Sequence, residues 1–231
     1  DGSLESLLSQ PPADVMDPRA TGSGEQRTRF TELSLRQRVQ FIWDAAEALR
    51  FLHSRGLIVR DLAMRNLMLC HDGEEDEEEK EAQSLWRLKV IDFSWSIWVE
   101  NDQRMNVIVE GGIISGPWRV LAPESIGGRA VGMKDEGQRN STFSFESDVW
   151  SLGILMYGLL TNKRPYGDVP TSKVPEIVAS GRGPWEVGVD PITSVPETLI
   201  QMCKQCLSIN PEARPKLEEV CSSLKDLLVH I

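Results

Sequence analysis

Leu57-Ile58-Val59-Arg60-Asp61-Leu62-Ala63-Met64-Arg65-Asn66-Leu67-Met68-Leu69 sets an acid and an amide five residues apart in a polar loop between apolar flanks. A carboxylate placed like Asp61 can accept the proton of an attacking hydroxyl, and the amide oxygen of Asn66 can ligate a Mg²⁺ that screens phosphates. By itself the run also fits an ordinary turn between two buried segments. The residues downstream decide between the two.

Leu88-Lys89-Val90-Ile91-Asp92-Phe93-Ser94 reads as a short buried strand ending in a second metal-binding carboxylate. Pro117-Trp118-Arg119-Val120-Leu121-Ala122-Pro123-Glu124, Ser147-Asp148-Val149-Trp150-Ser151-Leu152-Gly153 and Asn210-Pro211-Glu212-Ala213-Arg214-Pro215 follow in that order. Together these stretches resemble the eukaryotic protein kinases over nearly the whole chain. Val59-Arg60-Asp61-Leu62 with Asn66 resembles the catalytic loop H-R-D-L-x-x-x-N, and Asp92-Phe93-Ser94 the D-F-G element. Residues 117–124 resemble the peptide-docking loop and A-P-E, residues 147–153 the start of the central helix of the large lobe, and Arg214 its late arginine.

The resemblance implies a mainly α structure, the large lobe of the α+β kinase fold: a helical bundle around a buried central helix, with a short β-hairpin near the catalytic loop. It implies ATP and Mg²⁺ as cofactors and a protein as substrate. Asp61 would be the base, with Arg60, Arg65 and Asn66 beside it in the catalytic loop. Asn66 and Asp92 would hold the metal, and Ser3 and Met68 would join them around the nucleotide, Met68 as the floor under adenine. Glu124 would pair with Arg214, and Asp148 would accept backbone N–H bonds from the catalytic loop. Arg60 could receive a phosphate carried by Ser94, Ser96 or Ser115.

No G-x-G-x-x-G run and no V-A-I-K-like strand occurs. Residues 1–231 are therefore expected to be the large lobe alone, starting just past the hinge at Gly2-Ser3-Leu4, with the small lobe as a missing partner and no phosphate transfer by the fragment itself. Ala63, Arg65 and the Pro117 loop resemble the tyrosine-kinase pattern R-D-L-A-A-R-N and P-V-R-W-M-A-P-E, so tyrosine is favoured over serine or threonine as acceptor. Two positions depart from the family. Val59 stands for a histidine, keeping packing beneath Phe93 and losing a polar contact. Ser94 stands for a glycine, losing easy access to positive φ; Asp92 can still bind metal if Ser94 keeps an ordinary backbone conformation. These departures leave a pseudokinase, a signalling scaffold without phosphate transfer, as the alternative.

The net charge of −10 does not describe a broad acidic face, because residues 72–81 hold eight acidic side chains against one lysine. Such a block repels itself and reads as a solvated loop. Nucleic-acid binding is not indicated. Four cysteines at low density fit a reducing, cytoplasmic setting, and the Cys203/Cys206 pair lies within an apolar-periodic run that reads as helix, not as a zinc site. No run reaches the roughly twenty apolar residues of a membrane span. Stretches 11–28, 71–84 and 127–143 read as flexible inserts. Helices are expected from Ser34 to a stop at Gly56, over 145–160, 172–180, 196–207 and 216–229, and a hairpin from Leu67 to Leu69 and Leu85 to Ile91.

Overall fold

A computed structural model describes residues 3–5, 33–71, 86–99, 107–109, 116–126, 140–187 and 195–231. The insert 11–28 and the acidic block lie outside the described residues, as do 127–139.

Leu35, Val39, Ile42, Ala45, Ala46 and Leu49 recur at helical spacing, and helix α1 (Leu35–Ser54) buries that stripe from Val39 on, with Leu35 half-buried. Ser34 opens it with a reciprocal cap: its hydroxyl accepts from Gln37 N–H while its own N–H donates to the Gln37 side chain at 3.0 Å. The chain leaves through Gly56 at φ +80°, where a Cβ would lie 2.6 Å from the Val99 carbonyl oxygen. Only glycine fits both the turn and that approach.

Strand β1 (Leu57–Ile58) enters the candidate catalytic loop, which closes in a 3₁₀ turn over Met64–Asn66. Strands β2 (Leu67–His71) and β3 (Trp86–Val90) form an antiparallel hairpin with Met68 opposite Lys89. Strand β4 (Ile97–Trp98) returns to pair with β1, and β5 (Val107–Val109) pairs with β6 (Ser141–Phe143). Helices α2 (Pro123–Ile126), α3 (Phe145–Thr161), α4 (Val174–Ala179), α5 (Glu197–Cys206) and α6 (Leu217–His230) complete the order.

The fold is mainly helical, as expected, and α3 is its axis. Every residue from Ser147 to Thr161 is buried; each Leu, Ile or Met withdrawn from water there contributes about 1.5–3 kcal/mol before entropy is counted. Helix α1 packs on α3, α6 and β3, while α5 packs on the other flank of α3. At that second contact Gly153 lets the helices close: a Cβ on it would sit 2.8 Å from Leu207 Cγ and 2.9 Å from Cys206 Cβ. Cys203 and Cys206 are core residues of α5, and the Cys203 thiol donates to the Gly153 carbonyl. Burial pushes the Cys206 thiol up to about 12.

Two pairings were not expected. The β1–β4 ladder and the β5–β6 ladder consist of runs of two or three residues, too short to carry a period. The second corrects the end of the stretch 127–143, because residues 141–143 are strand, with Ser141 and Phe143 buried. At the other end of the chain, Leu4 is wholly buried and Ser3 makes an isolated antiparallel bridge to Met68.

Candidate active site

The candidate catalytic loop is held from beneath by the first turn of α3. Asp148 accepts from Val59 N–H at 2.7 Å and from Arg60 N–H at 2.8 Å, one carboxylate oxygen each. His53 Nε2 lies 2.9 Å from the oxygen used by Val59, and its ring packs 4.5 Å from Phe145. These bonds hold Arg60 at φ +68°, a conformation costing a non-glycine residue about 1–2 kcal/mol. Val59 itself is buried in the core. The imidazole bonded to Asp148 comes from α1, not from position 59.

Asp61 is 5% exposed. Its Oδ2 accepts from Arg65 at 2.5 Å and from Asn66 Nδ2 at 2.9 Å, and the same Nδ2 donates to the Asp61 carbonyl at 3.0 Å. Oδ1 is buried with no hydrogen-bond partner among the described residues. An unpaired buried acceptor costs about 1–3 kcal/mol, so this oxygen stands to gain from any donor brought to it. With its nitrogen spent on Asp61, Asn66 leaves its Oδ1 without a hydrogen bond among the described residues.

Asp92 reaches the site from β3. Ile91 N–H donates to the Asn66 carbonyl at 2.8 Å, which ties the strand end to the catalytic loop. Asp92 then turns at φ +62°, while Ser94 keeps an ordinary φ. The strained position is therefore the aspartate, and a serine at 94 is tolerated without strain. Asp92 Oδ1 accepts from Ser94 Oγ at 2.5 Å and from Ser94 N–H at 3.1 Å. The Ser94 hydroxyl, then its N–H, hold this exposed carboxyl below the usual aspartate range, and the charge of Arg65 adds to the effect. Phe93 is 44% exposed, whereas Val59 is buried in the core.

Arg60 is already occupied. Its guanidinium lies 4.0 Å over the Phe143 ring and 5.8 Å from the Trp95 ring, and it donates to the Trp95 carbonyl at 3.1 Å. Desolvation lowers its pKa. Arg214 makes a two-pronged ion pair with Glu124 at 2.6 and 2.9 Å and also donates to the carbonyls of Ser208 and Glu146. Thus Glu124 and Arg214 meet as the motif implied.

A cavity of about 690 Å³ opens between residues 62–65 of the candidate catalytic loop, residues 116–120, α3 and the turn at 162–165. Arg119 braces its wall, donating to the Pro165 carbonyl at 2.6 Å and to the Val169 carbonyl. Met64 caps the floor against α3, where a Cβ on Gly158 would meet its methyl at 2.1 Å.

A profile of the family described as protein tyrosine and serine/threonine kinase matches residues 1–224. The chain belongs to that family. It is 33% identical to ephrin type-A receptor 8 of Mus musculus over 208 residues, which is 88% of this chain and 17% of that protein. The mast/stem cell growth factor receptor Kit of Gallus gallus is 29% identical over 85% of this chain and 17% of its own length. A probable LIM domain-containing serine/threonine-protein kinase of Dictyostelium discoideum is 26% identical over 86% of this chain and 24% of its own length. The chain thus spans well under half the length of each of these kinases.

Of the residues expected at the site, Arg65 and Asn66 converge on Asp61, β3 brings Asp92 to Asn66, and Ser3 meets Met68 on the edge of the β2–β3 hairpin. Sequence reasoning missed His53, Phe143 and the buried Asp44, which grips Arg87 through both oxygens and accepts from Leu88 N–H. An aspartate on the apolar face of α1 was the visible signal for the last. Nothing local marks the other two. No helix among the described residues is long and apolar enough to cross a membrane.

Proposed function

We propose that the protein transfers the γ-phosphate of ATP to a protein hydroxyl, with tyrosine favoured and Asp61 as the base. The observation that carries this reading is the buried, unpartnered Oδ1 of Asp61 beside an Oδ2 fixed by Arg65 and Asn66. One oxygen is oriented and the other is free to take a proton. Protein kinases use ATP and Mg²⁺, and the free oxygens here suit a hard cation: Asn66 Oδ1 and Asp92 Oδ2 carry no hydrogen bond among the described residues. Two such ligands are a usual protein share for Mg²⁺, whose remaining positions go to phosphates and water. The bound metal would neutralise charge on the phosphates, and Asp61 would position and deprotonate the acceptor. A cavity of about 690 Å³ lined by Leu62, Ala63 and Arg65, the residues that follow Asp61, has room for a phenol ring, which supports the tyrosine preference.

A second reading has its own observation. Ser94 occupies Asp92 Oδ1 with two hydrogen bonds, and a carboxylate so satisfied is a weaker metal ligand; this supports a scaffold that does not transfer phosphate. Labelled-ATP transfer to a mixed Tyr and Ser/Thr peptide pool by the full-length protein separates the two. Activity abolished by Asp61→Asn and by Asp92→Asn is the expected result. A full-length protein that binds Mg²⁺-ATP yet transfers nothing, even with Val59→His and Ser94→Gly, leaves the scaffold. Residues 1–231 alone we propose to be the large lobe and inactive, because phosphoryl transfer depends on positioning from both sides of the nucleotide and no phosphate-covering glycine loop lies within them.

A further inference from the structure

Helices α5 and α6 are neighbours that pack on different partners, α5 on α3 and α6 on α1. A groove of about 680 Å³ stays open between their facing sides. Residues 197–205 of α5 and 219–227 of α6 line it, which is about 12 Å, or just over two turns, along each helix. Leu199 and Val220 are buried at its base, and Met202 and Leu227 are half-buried above them. The floor is therefore apolar. Its edges are acidic: Glu197 stands on the α5 side, Glu219 and Asp226 on the α6 side, and all three are exposed.

None of these carboxylates has a cationic partner among the described residues. Glu197 accepts from the Gln201 side chain and Glu219 from Lys216 N–H at 3.4 Å, while Asp226 makes no hydrogen bond or ion pair. No lysine or arginine among the described residues lines the groove; Lys204, on the same helix, lies instead 5.9 Å over the Trp185 ring. An apolar floor thus runs between two edges of one sign, where the low-dielectric wall focuses their field.

We propose that this groove docks an amphipathic helix of a partner protein, with apolar side chains on the floor and lysines or arginines against Glu197, Glu219 and Asp226. Acids on both edges call for cations on both flanks of the apolar stripe, and the same charges repel a polyanion or an anionic lipid surface. Two helices offer no free strand edge, so an extended segment would find no backbone partners, whereas a helix can lay one face between them. The groove lies on elements that hold none of the candidate catalytic residues, and the inference does not rest on phosphate transfer.

The test is fluorescence anisotropy of three labelled model peptides on the full-length protein. The first has leucines at i, i+4 and i+7 with lysines on either flank, the second has the same composition with the leucines scattered round the helix, and the third has glutamates for the lysines. The acidic residues 72–81 attract any basic peptide, so the second sets the baseline. Burying two leucine-sized side chains is worth more than a tenfold change in affinity. The first peptide should therefore bind at least about tenfold tighter than the second, and the third should bind weakest. In Glu197→Lys/Glu219→Lys/Asp226→Lys the preference should turn toward the glutamate peptide. Ser223→Trp, at an exposed position in the groove, fills the space without changing charge and should abolish the margin of the first peptide over the second. Thermal unfolding checks that both variants keep the fold. Equal binding of the first two peptides, or a margin that survives either variant, overturns the proposal. A dimer in sedimentation velocity that Ser223→Trp dissolves also overturns it, by assigning the groove to a second copy of this chain.

Discussion

The loop around Asp61 and the turn around Asp92, linked through the Ile91 N–H bond to the Asn66 carbonyl, hold their carboxylates in opposite ways. Asp61 sits on a loop whose backbone is bonded to a fully buried aspartate in the central helix. Asp92 lies on an exposed turn, and the hydrogen bonds to its side chain come from Ser94, two residues away. The first arrangement ties the site's geometry to one anchor in the core, so damage at Asp148 becomes damage to Asp61. The second leaves Asp92 free to respond to whatever binds it while the fold stays indifferent.

That contrast is broken most directly at Asp148. Asp148→Ala removes the acceptor for one buried and one part-buried N–H group and the partner of His53, and should cost about 3–5 kcal/mol in urea unfolding. Asp148→Asn should cost less, since it keeps one acceptor oxygen. A loss under about 1 kcal/mol for the alanine variant would mean that the catalytic loop is not anchored from below.

Next in size is the Glu124–Arg214 pair, which fastens α2 to the segment before α6. Arg214→Lys keeps the charge but not the fork that reaches Glu124 and two carbonyls; it should cost about 1–3 kcal/mol. Glu124→Gln should lie in the same range, and the double variant should cost less than the sum because the two residues act as one unit. Additive losses would show two independent contacts.

How much of this was legible in the sequence depends on distance along the chain. Helices α1, α3, α5 and α6 announce themselves by apolar spacing, and the β2–β3 hairpin by two apolar runs around an acidic loop. The Glu124–Arg214 pair and the bonds from Asp148 to the loop were legible because their neighbours form motifs. Phe143 under Arg60 was not, since a lone aromatic after a glycine-rich stretch gives no sign of the strand it belongs to. His53 and Asp148 meet across 95 residues, and no local pattern pairs them. Lys163 and Arg164 read as an ordinary polar turn until the fold curls residues 116–120 around the same space.

Gly153→Ala sharpens the comparison by disturbing the core away from Asp148. Its new methyl would strike Leu207 and Cys206 at under 3 Å, and overpacking of this kind costs about 1–3 kcal/mol. Urea unfolding should show that loss with peptide binding at the cavity beside residues 62–65 unchanged at temperatures where the chain is folded. Binding lost in step with stability would mean that the site has no anchor of its own.

The smallest effect on stability, and the sharpest test of the exposed turn, is Ser94→Ala. It deletes the hydroxyl bond to Asp92 Oδ1 and keeps the backbone one, on a turn that buries little, so unfolding free energy should stay within about 0.5 kcal/mol. The carboxyl itself should respond. Its pKa is depressed chiefly by that hydroxyl, and a depressed carboxylate favours the folded form above the unfolded pKa and loses that contribution as pH falls through the folded value. Removing the hydroxyl should move the Asp92 titration upward, toward the usual aspartate range, as read by NMR of its carboxyl carbon. The same change makes the oxygen more basic and frees it, so Mn²⁺ binding followed by electron spin resonance should tighten in the full-length protein with nucleotide present. An unmoved titration would show that Ser94 does not set the state of Asp92; a raised titration with weaker metal binding would show that Asp92 Oδ1 is not among the oxygens the metal uses.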